Sequence, residues 1–320
     1  MSFLSRFGKV AEVNSINTEY QWLALPVSLG QVLEQASKNF ELSELYFGHG
    51  TDNPWDEAVQ IAIHVLGLKL DTDASVLERQ LTQTELDDLI RLFKRRINER
   101  VPVAYLTGLA YFSGFEFIVN ADVLVPRSPI SELIENAYSP WLRKDPRKIL
   151  DLCTGSGCIG IATAHVFPDA EVDISDLSKA AIKVAEQNIK KHGLESRVNA
   201  IESDLFSAMQ GRRYDLIVCN PPYVNAEDLA AMPAEFHAEP VLGLASGADG
   251  LDFCKRLLAE ASDHLTEDGC LIVELGNTWQ TLDEQFQQVP FVWLEFERGG
   301  HGVFVLSAED LAAHRGLFLK

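Results

Sequence analysis

Long apolar runs are absent from this 320-residue chain. No stretch approaches the ~20 consecutive apolar residues that span a bilayer. The first 22 residues also lack a basic segment followed by an apolar block, which is the pattern of a signal peptide. Hydrophobic residues make up 47% of the chain and charged residues 23%, the balance of a globular protein with a sizeable core. We therefore expect a cytoplasmic protein that binds no membrane.

Cysteine is also scarce, with five residues and no CxxC pair. No histidine stands beside these cysteines at the spacing of a zinc site. An odd number of scattered cysteines favours a reducing compartment, in which the thiols act as small core residues. The sequence therefore predicts no metal site.

Basic residues are few: 27 Lys and Arg stand against 47 Asp and Glu, for a net charge of −20. A protein that binds naked nucleic acid usually presents a basic face. One basic run exists at residues 91–100, but Leu92, Phe93 and Ile97 have helical spacing within it, so its charges are interpreted as a solvated helix face. The charge therefore favours a basic protein partner over direct contact with nucleic acid. A saline habitat or solubility alone would explain the negative charge equally well.

The hydrophobic pattern changes along the chain and predicts three parts. Helical periodicity predicts a helical domain over residues 1–105, and alternation predicts a β-hairpin connector over 106–127. The third part, 128–320, opens with a predicted helix at 128–142 and then alternates strands with helices. This alternation predicts an α/β fold with a doubly wound, mostly parallel sheet of seven strands. Its last strand is predicted to be antiparallel, because a hairpin around residues 299–302 closes the chain.

A glycine-rich turn follows the first strand of this alternating region. Residues 149–160 read ILDLCTGSGCIG, which places GxGxxG between a strand and a helix. Such a turn lets the backbone lie close to a ligand at a helix N-terminus. An acid near the end of the next strand is expected to bind ribose hydroxyls, and Asp176 is preferred to Asp173 because Asp173 lies in mid-strand. A dinucleotide and S-adenosylmethionine both satisfy this pattern.

One further acid, Asp151, favours S-adenosylmethionine. Asp151 lies inside the first strand and faces the turn, where it can hold the ammonium of a methionine moiety directly or through water. A dinucleotide offers no cation there except its nicotinamide ring. Asp204 ends the third strand and can accept from an adenine amino group, although an N-cap role explains it nearly as well.

A rigid turn, NPPY over Asn220–Tyr223, ends the fourth strand and should lie beside the glycine turn. The side-chain oxygen of Asn220 and the carbonyl of Pro221 are two acceptors about one amino group apart. A planar –NH2 held by both would point its lone pair at a methyl donor, which is catalysis by orientation. Pro221 and Pro222 remove competing N–H donors and stiffen the turn, and Tyr223 can stack on the flat group. A proline-terminated strand alone explains the prolines but not their coincidence with the glycine turn.

DLCTGSG and NPPY together resemble the class I S-adenosylmethionine-dependent methyltransferases that act on planar nitrogens. NPPY is shared by N6-type adenine methyltransferases and by HemK-like protein glutamine methyltransferases. The resemblance to the HemK-like family covers most of the chain and includes PVAYLTGLAYFSGFEF, SDLF and AEPVLGLASGADGLDF. After Arg127 the sequence SPISELIE is similar to the branch that modifies the third protein of the large ribosomal subunit. The release-factor branch usually has PRPDTE or PRPETE there.

The resemblance implies a Rossmann-like class I methyltransferase domain, S-adenosylmethionine as donor and S-adenosylhomocysteine as product. It implies that the acceptor is a glutamine amide of a basic ribosomal protein, which the helical domain recognises. Glutamine methylation of release factors and adenine methylation of nucleic acid stay as alternatives, and monomer and dimer both fit the sequence. The family spacing to Asn188 supports Asp176, whereas its VD-x-S pattern leaves Asp173 open.

The predicted cofactor residues are Asp151, Thr154, Gly155, Ser156, Gly157, Asp176, Asp204, Leu205 and Asn220. The predicted acceptor residues are Phe112, Arg127, Asn220, Pro221 and Tyr223, and the predicted catalytic residues are Asn220, Pro221, Pro222 and Tyr223.

Overall fold

The computed structural model describes residues 20–319. Three helices of the helical domain each begin after a capping residue. Ser28, Asn53 and Thr82 are these residues, and the side chain of each accepts a hydrogen bond from a backbone N–H group of the first turn. Its helices are α1 (Leu29–Leu42), α2 (Pro54–Leu66), α3 (Gln83–Glu99) and α4 (Val103–Thr107). The start of the predicted 1–105 domain, and most of the segment examined for a signal peptide, lie outside the described residues.

The basic run at 91–100 is only partly a solvated helix face. Arg95 is exposed and pairs with Glu99 on the same side of α3. Arg96, by contrast, is 0% exposed and bonds to Glu57 of α2. The interpretation of the whole run as solvated is therefore wrong at Arg96, which lies on the same face of α3 as the apolar stripe.

A two-stranded antiparallel hairpin, β1 (Leu109–Phe112) and β2 (Phe115–Ile118), follows α4. Ser113 and Gly114 form its tip with φ angles of 47° and 78°. The predicted connector is longer than the paired strands, because residues 119–127 belong to no strand and include a turn at 121–122.

The predicted helix over 128–142 is much shorter than expected. Helix α5 spans Ile130–Glu135 and ends there, because Ala137 and Tyr138 have left-handed φ angles of 49° and 54°. The Tyr138 side chain is fully buried, with its hydroxyl 2.7 Å from that of Thr163. Burial of this aromatic ring fixes a tight turn that helical periodicity does not reveal.

Seven strands form the main sheet, in the order β5-β4-β3-β6-β7-β9-β8. The strands are β3 (Lys148–Leu152), β4 (Glu171–Asp176), β5 (Val198–Glu202), β6 (Tyr214–Cys219), β7 (Leu265–Glu274), β8 (Val292–Trp293) and β9 (Val303–Ser307). Neighbours from β5 to β7 are parallel, and β9 is antiparallel to both β7 and β8. The predicted doubly wound sheet of seven strands with an antiparallel last strand is confirmed.

Helices cover both faces of the sheet, so the central strands are apolar on both sides. These helices are α6 (Cys158–Val166), α7 (Lys179–Lys191), α9 (Asp252–Glu260), α10 (Trp279–Gln285) and α11 (Ala308–Phe318), whereas the short α8 (Ala226–Ala231) follows the NPPY turn and buries none of its residues. In β3, Ile149 packs into the cluster on the α6 and α7 side, whereas Leu150 packs into the cluster with α9 and α11. Helix α11 was not predicted; Ser307 caps it directly after β9.

The strand order reverses between β3 and β6, and crevices form at such a point in open α/β sheets. The carboxyl ends of β3, β4, β5 and β6 therefore meet at one edge. Among residues 20–319, no helix is both long and apolar enough to cross a membrane.

Candidate active site

A cavity of about 910 Å³ lies at the carboxyl edge of the sheet. This volume is in the range of small-molecule and cofactor sites. Most of the predicted site residues line it: Arg127, Thr154, Gly155, Ser156, Asp176, Asp204, Leu205, Asn220, Pro221, Pro222 and Tyr223. Asp151, Gly157 and Phe112 are not among its lining residues.

The two glycines of the turn have different tasks. Gly155 and Gly157 have φ angles of 55° and 84°, in the left-handed region that favours glycine. At Gly155 the nearest side-chain atom to an added Cβ would be 4.0 Å away, so its backbone faces open space in the cavity. At Gly157 an added Cβ would lie 3.0 Å from Ile161 and 3.2 Å from Ile174. Gly155 thus leaves room for a ligand, and Gly157 lets α6 pack closely on the sheet.

Asp151 supports the turn from beneath and is 1% exposed. Its Oδ2 accepts from the Thr154 hydroxyl at 2.5 Å and the Gly160 N–H at 2.8 Å. Burial raises the pKa of Asp151 to about 7, although these two hydrogen bonds act to lower it. Its Oδ1 and the Ser156 hydroxyl have no hydrogen-bond partner among the described residues. A donor that reached beneath the turn would satisfy both atoms.

Asp176 ends β4 on the wall of the cavity. Its carboxylate accepts from the N–H of Gly155 at 3.0 Å and from that of Ser178 at 2.8 Å. Burial raises the pKa of Asp176, and these backbone bonds oppose the rise. The carboxylate is therefore fixed at the mouth of the glycine turn.

Asp173, the alternative ribose acid, does not line the cavity. It pairs with Arg212 at 2.8 Å and accepts from the Tyr214 hydroxyl at 2.8 Å. Its position three residues before the end of β4 keeps it away from the carboxyl edge. Only Asp176 of the two acids faces the cavity.

Asp204 and Leu205 follow β5 on the same wall. Leu205 is buried with a φ of 48°, which turns the backbone sharply at this point. Asp204 is exposed, and both its oxygens lie 2.9 Å from one Arg256 nitrogen. Any adenine amino group at Asp204 would share that carboxylate with Arg256.

The NPPY turn begins where β6 ends, and contacts with the residues that follow β7 hold it in place. Asn220 is half-buried and Pro221 buried, both on the cavity wall. The Tyr223 carbonyl accepts from the Thr278 hydroxyl at 2.6 Å. An added Cβ at Gly276 would lie 2.8 Å from the Tyr223 ring, so only a glycine leaves room for this aromatic side chain.

Glu274 is a site residue that the sequence analysis missed. It ends β7, is buried, and lines the cavity. The hydroxyls of Tyr223, at 3.2 Å, and Ser128, at 2.5 Å, both donate to it. Burial raises the pKa of Glu274 to about 7, against the effect of these bonds and of Arg127. The available signal was an acid that directly follows the apolar run of residues 270–273.

Arg127 also lines the cavity. It makes a two-pronged contact with Glu239 at 2.5 and 2.6 Å and lies 5.3 Å above the Phe236 ring. Burial alone would raise the pKa of Glu239, but His49 and Arg127 together lower it to about 2. Arg127 therefore contacts the cavity with its charge already compensated.

Phe112 does not reach the cavity. It is 6% exposed and packs with Phe117 and Ile130 in the core between the hairpin and the sheet. The alternation of β1 turns its ring inward, so the structure does not place Phe112 with the other predicted acceptor residues. Residues 20–319 contain no group of three or more His, Cys, Asp or Glu placed to hold a metal ion.

Comparisons with known proteins show which family the chain belongs to. The profile of the methyltransferase small domain family matches residues 135–239. The chain is 45% identical over 280 residues to the ribosomal protein uL3 glutamine methyltransferase of Francisella tularensis subsp. tularensis, covering 87% of this chain and 89% of that one. It is 46% identical over 284 residues to the enzyme of the same name from Xylella fastidiosa, covering 88% and 91%. The chain belongs to the ribosomal protein uL3 glutamine methyltransferase family.

Among solved structures, the hMettl16 catalytic domain in complex with the MAT2A 3'UTR hairpin 6 is similar over 72% of this chain and 85% of that one. The TM-score is 0.48 and the identity 15%. As a member of the uL3 glutamine methyltransferase family, the chain is an S-adenosylmethionine-dependent methyltransferase. The residues present fit that cofactor, because the unpartnered oxygen of Asp151 can meet an ammonium and Asp176 can meet a ribose diol.

Proposed function

We propose that this protein transfers a methyl group from S-adenosylmethionine to the side-chain amide nitrogen of a glutamine in ribosomal protein uL3. The bond between sulfur and the methyl group breaks as the bond between nitrogen and the methyl group forms, so S-adenosylhomocysteine leaves with the electron pair on sulfur. The cationic nitrogen then loses one proton to water, which gives the neutral methylated amide. One observation carries the proposal: the NPPY turn and the glycine turn open into a single cavity. The curated relatives that are 45–46% identical bear the name of this activity. A ribosomal protein substrate places the enzyme in the cytoplasm.

The acceptor is the difficult partner in this reaction. S-adenosylmethionine supplies a methyl group on a positively charged sulfur, so the donor is already activated. An amide nitrogen is a poor nucleophile, because its lone pair is delocalised into the carbonyl. The enzyme must therefore hold the –NH2 in line with the methyl group and stabilise positive charge as it develops on nitrogen.

Asn220 and Pro221 meet both requirements. The Asn220 side-chain oxygen and the Pro221 carbonyl accept the two N–H groups of the glutamine amide, which orients the nitrogen lone pair towards the donor. Their hydrogen bonds strengthen as the nitrogen becomes cationic, so they stabilise the transition state more than the bound substrate. Pro222 stiffens the turn, and Tyr223, anchored on Glu274, packs against the amide plane.

The donor would be held in the half of the cavity beside the glycine turn. Asp176 would accept from the ribose hydroxyls, and the open space at Gly155 would leave room for the nucleoside. Asp204 and Leu205 would hold the adenine. Beneath the turn, Asp151 with Thr154 and Ser156 would receive the methionine ammonium, directly or through water, and Gly157 lets α6 pack closely on the sheet.

A protein acceptor fits the charge of the chain better than a nucleic acid. The net charge of −20 attracts a basic ribosomal protein and repels phosphate. The cavity also has acidic residues at its walls, including Asp122, Asp228 and Asp252. Basic residues that flank the target glutamine would meet these carboxylates.

The test is methyl transfer from isotopically labelled S-adenosylmethionine to three separate acceptors: purified uL3, a peptide-chain release factor, and ribosomal RNA. We expect label on a glutamine of uL3, located by mass spectrometry of the digested protein. Label on the release factor alone would mean that the substrate is a release factor and not uL3. Label on RNA that is lost on nuclease treatment would support the adenine alternative.

A further inference from the structure

A buried ion cluster joins the helical domain to the catalytic domain. The Arg96 guanidinium in α3 donates to Glu57 of α2 at 2.6 and 3.2 Å and to the Tyr46 carbonyl at 2.8 Å. It also donates to Glu235 at 3.3 Å, and Glu235 lies in the catalytic domain beyond the NPPY turn. Arg96 is 0% exposed, and Glu57 and Glu235 are each 1% exposed. A rigid guanidinium fork between two buried carboxylates fixes the positions of both.

Glu235 is held by the helical domain from several directions. Besides Arg96, it accepts from the Tyr46 N–H at 3.1 Å and from Arg100 at 3.3 Å. All three donors belong to the helical domain. The short segment around Glu235 is thus bonded to that domain although it follows β6 in the chain.

The anchored segment forms one side of the cavity. We define the acceptor wall as residues 233–240 together with Tyr46. Phe236 and Tyr46 line the cavity, and their ring centroids are 5.4 Å apart. The Phe236 ring also packs on His49 at 4.6 Å and lies under Arg127. The helical domain therefore supplies one residue of the acceptor wall and holds the remainder in place.

The ion cluster has no direct access to the reacting groups. Arg96, Glu57 and Glu235 do not line the cavity. The cofactor residues Gly155 and Asp176 are fixed by bonds within the catalytic domain. An effect of the cluster on the reaction must therefore pass through the acceptor wall.

We propose that Arg96 and Glu235 are positioning residues for the protein acceptor: through them, the helical domain sets the shape of the acceptor wall. This inference rests on the proposed methyl transfer to a protein glutamine. It assigns to the helical domain a direct part in forming the acceptor site, besides any contact with the remainder of the substrate. Removing the pair should weaken productive binding of the protein and spare the cofactor.

The experiment compares Glu235→Gln, Arg96→Lys and the double variant with the unchanged protein. Glu235→Gln keeps the shape of the side chain and an acceptor oxygen but removes the charge that holds the wall. We expect the KM for uL3 to rise about tenfold, the size of a weakened charged hydrogen bond. We expect a smaller change in kcat. The dissociation constant for S-adenosylhomocysteine, measured by calorimetry, should stay within about twofold of that of the unchanged protein.

Arg95→Gln is the matched control. Arg95 is the neighbouring residue on α3 and pairs with Glu99 at the surface. Its removal deletes an ion pair without touching the acceptor wall, so the KM for uL3 should stay unchanged. The two single substitutions at Arg96 and Glu235 should also be non-additive, because they interrupt the same link.

Three results would overturn the inference. In the first, cofactor affinity falls in parallel with acceptor affinity. In the second, the melting temperature drops while the KM for uL3 stays constant. In the third, the single substitutions add independently. If Glu235→Gln does not fold, Phe236→Leu tests the acceptor wall without altering the ion cluster. An unchanged KM for uL3 in Phe236→Leu would also refute the inference. Absence of methyl transfer by the unchanged protein would instead refute the proposed function.

Discussion

At the residue scale, the proposed chemistry depends on two acceptor oxygens that are held in fixed positions. Asn220 and Pro221 lie at the end of a buried strand, and Tyr223 is fixed by Glu274 and Thr278. Such preorganised groups stabilise a developing charge without having to reorient during the reaction. The strongest tests therefore remove one atom group and leave the turn intact.

Asn220→Ala should lower kcat about 100- to 1000-fold, the usual cost of losing one preorganised hydrogen-bond partner. Binding of S-adenosylhomocysteine should stay nearly unchanged, because the proposed cofactor contacts lie mainly on β3, β4 and β5. Asn220→Asp keeps an acceptor oxygen and should retain part of the activity. Single-turnover kinetics with uL3 measure the loss of rate in both variants.

Asn225→Ala is the control for this substitution. Asn225 lies five residues later and caps α8 by accepting from the Asp228 N–H. Its loss should cost about 1 kcal/mol of stability at most and leave turnover intact. Near-full turnover in Asn220→Ala would mean that the turn is only architecture.

Asp176→Ala should weaken cofactor binding more than Asp173→Ala does. Asp176 lies on the cavity wall beside Gly155, whereas Asp173 is engaged with Arg212 and Tyr214 away from it. Loss of a charged hydrogen bond to a ribose hydroxyl corresponds to a weakening of about tenfold or more. Isothermal calorimetry with S-adenosylhomocysteine gives the two affinities, and the reverse order would exchange the roles of the acids.

At the element scale, the geometry of the glycine turn depends on close packing of α6 against the sheet. An added Cβ at Gly160 would lie 2.3 Å from Ile174 and 3.0 Å from Asp151. Neither neighbour can move freely, since Ile174 is buried in β4 and Asp151 bonds to the Gly160 N–H. The helix therefore needs a residue without a side chain at this contact.

Gly160→Ala should destabilise the protein by about 1–3 kcal/mol, the usual cost of overpacking a core contact. Gly316→Ala in α11 is the matched control, because no atom lies within 4 Å of the added Cβ there. An alanine in an open helical position should stabilise by about 0.5–1 kcal/mol. Urea unfolding of the two variants gives the difference, and equal effects would contradict the packing argument.

Local patterns determined how much of this could be predicted. Helical periodicity predicted the helical domain, and strand–helix alternation predicted that the glycine and NPPY turns share one edge. The cluster at Arg96 could not be predicted, because its bond to Glu235 joins residues 139 positions apart. The same holds for Glu274, whose role depends on side chains that reach it from two other segments.

At the scale of the whole molecule, buried carboxyl groups make stability depend on pH. Asp151 and Glu274 both have a pKa raised by burial to about 7. Their native forms bind a proton more tightly than the unfolded chain does. The stability that this contributes is fully present below the unfolded pKa, near 4, and is lost as the pH rises to about 7. Glu239 acts oppositely, since its pKa of about 2 makes its stabilisation fade only in acid.

Asp151→Asn should remove part of this dependence. Between about pH 4 and pH 7 the unchanged protein should lose stability relative to the variant, by on the order of a few kcal/mol. Asp268→Asn, at an exposed carboxylate, is the control and should follow the unchanged protein. Urea unfolding at a series of pH values measures the trend, and parallel curves for Asp151→Asn and the unchanged protein would contradict it.

The proposed pair of acceptors at the NPPY turn would also limit how many times one nitrogen can react. In the proposed site, an unmodified amide presents two N–H groups, one for the Asn220 oxygen and one for the Pro221 carbonyl. After one transfer the nitrogen keeps a single N–H, so the product can no longer occupy both bonds. Re-entry would also force the new methyl group against one of the two oxygens. We therefore expect the enzyme to release a monomethylated glutamine and to leave dimethylated species undetectable by mass spectrometry, even after long incubation with excess donor.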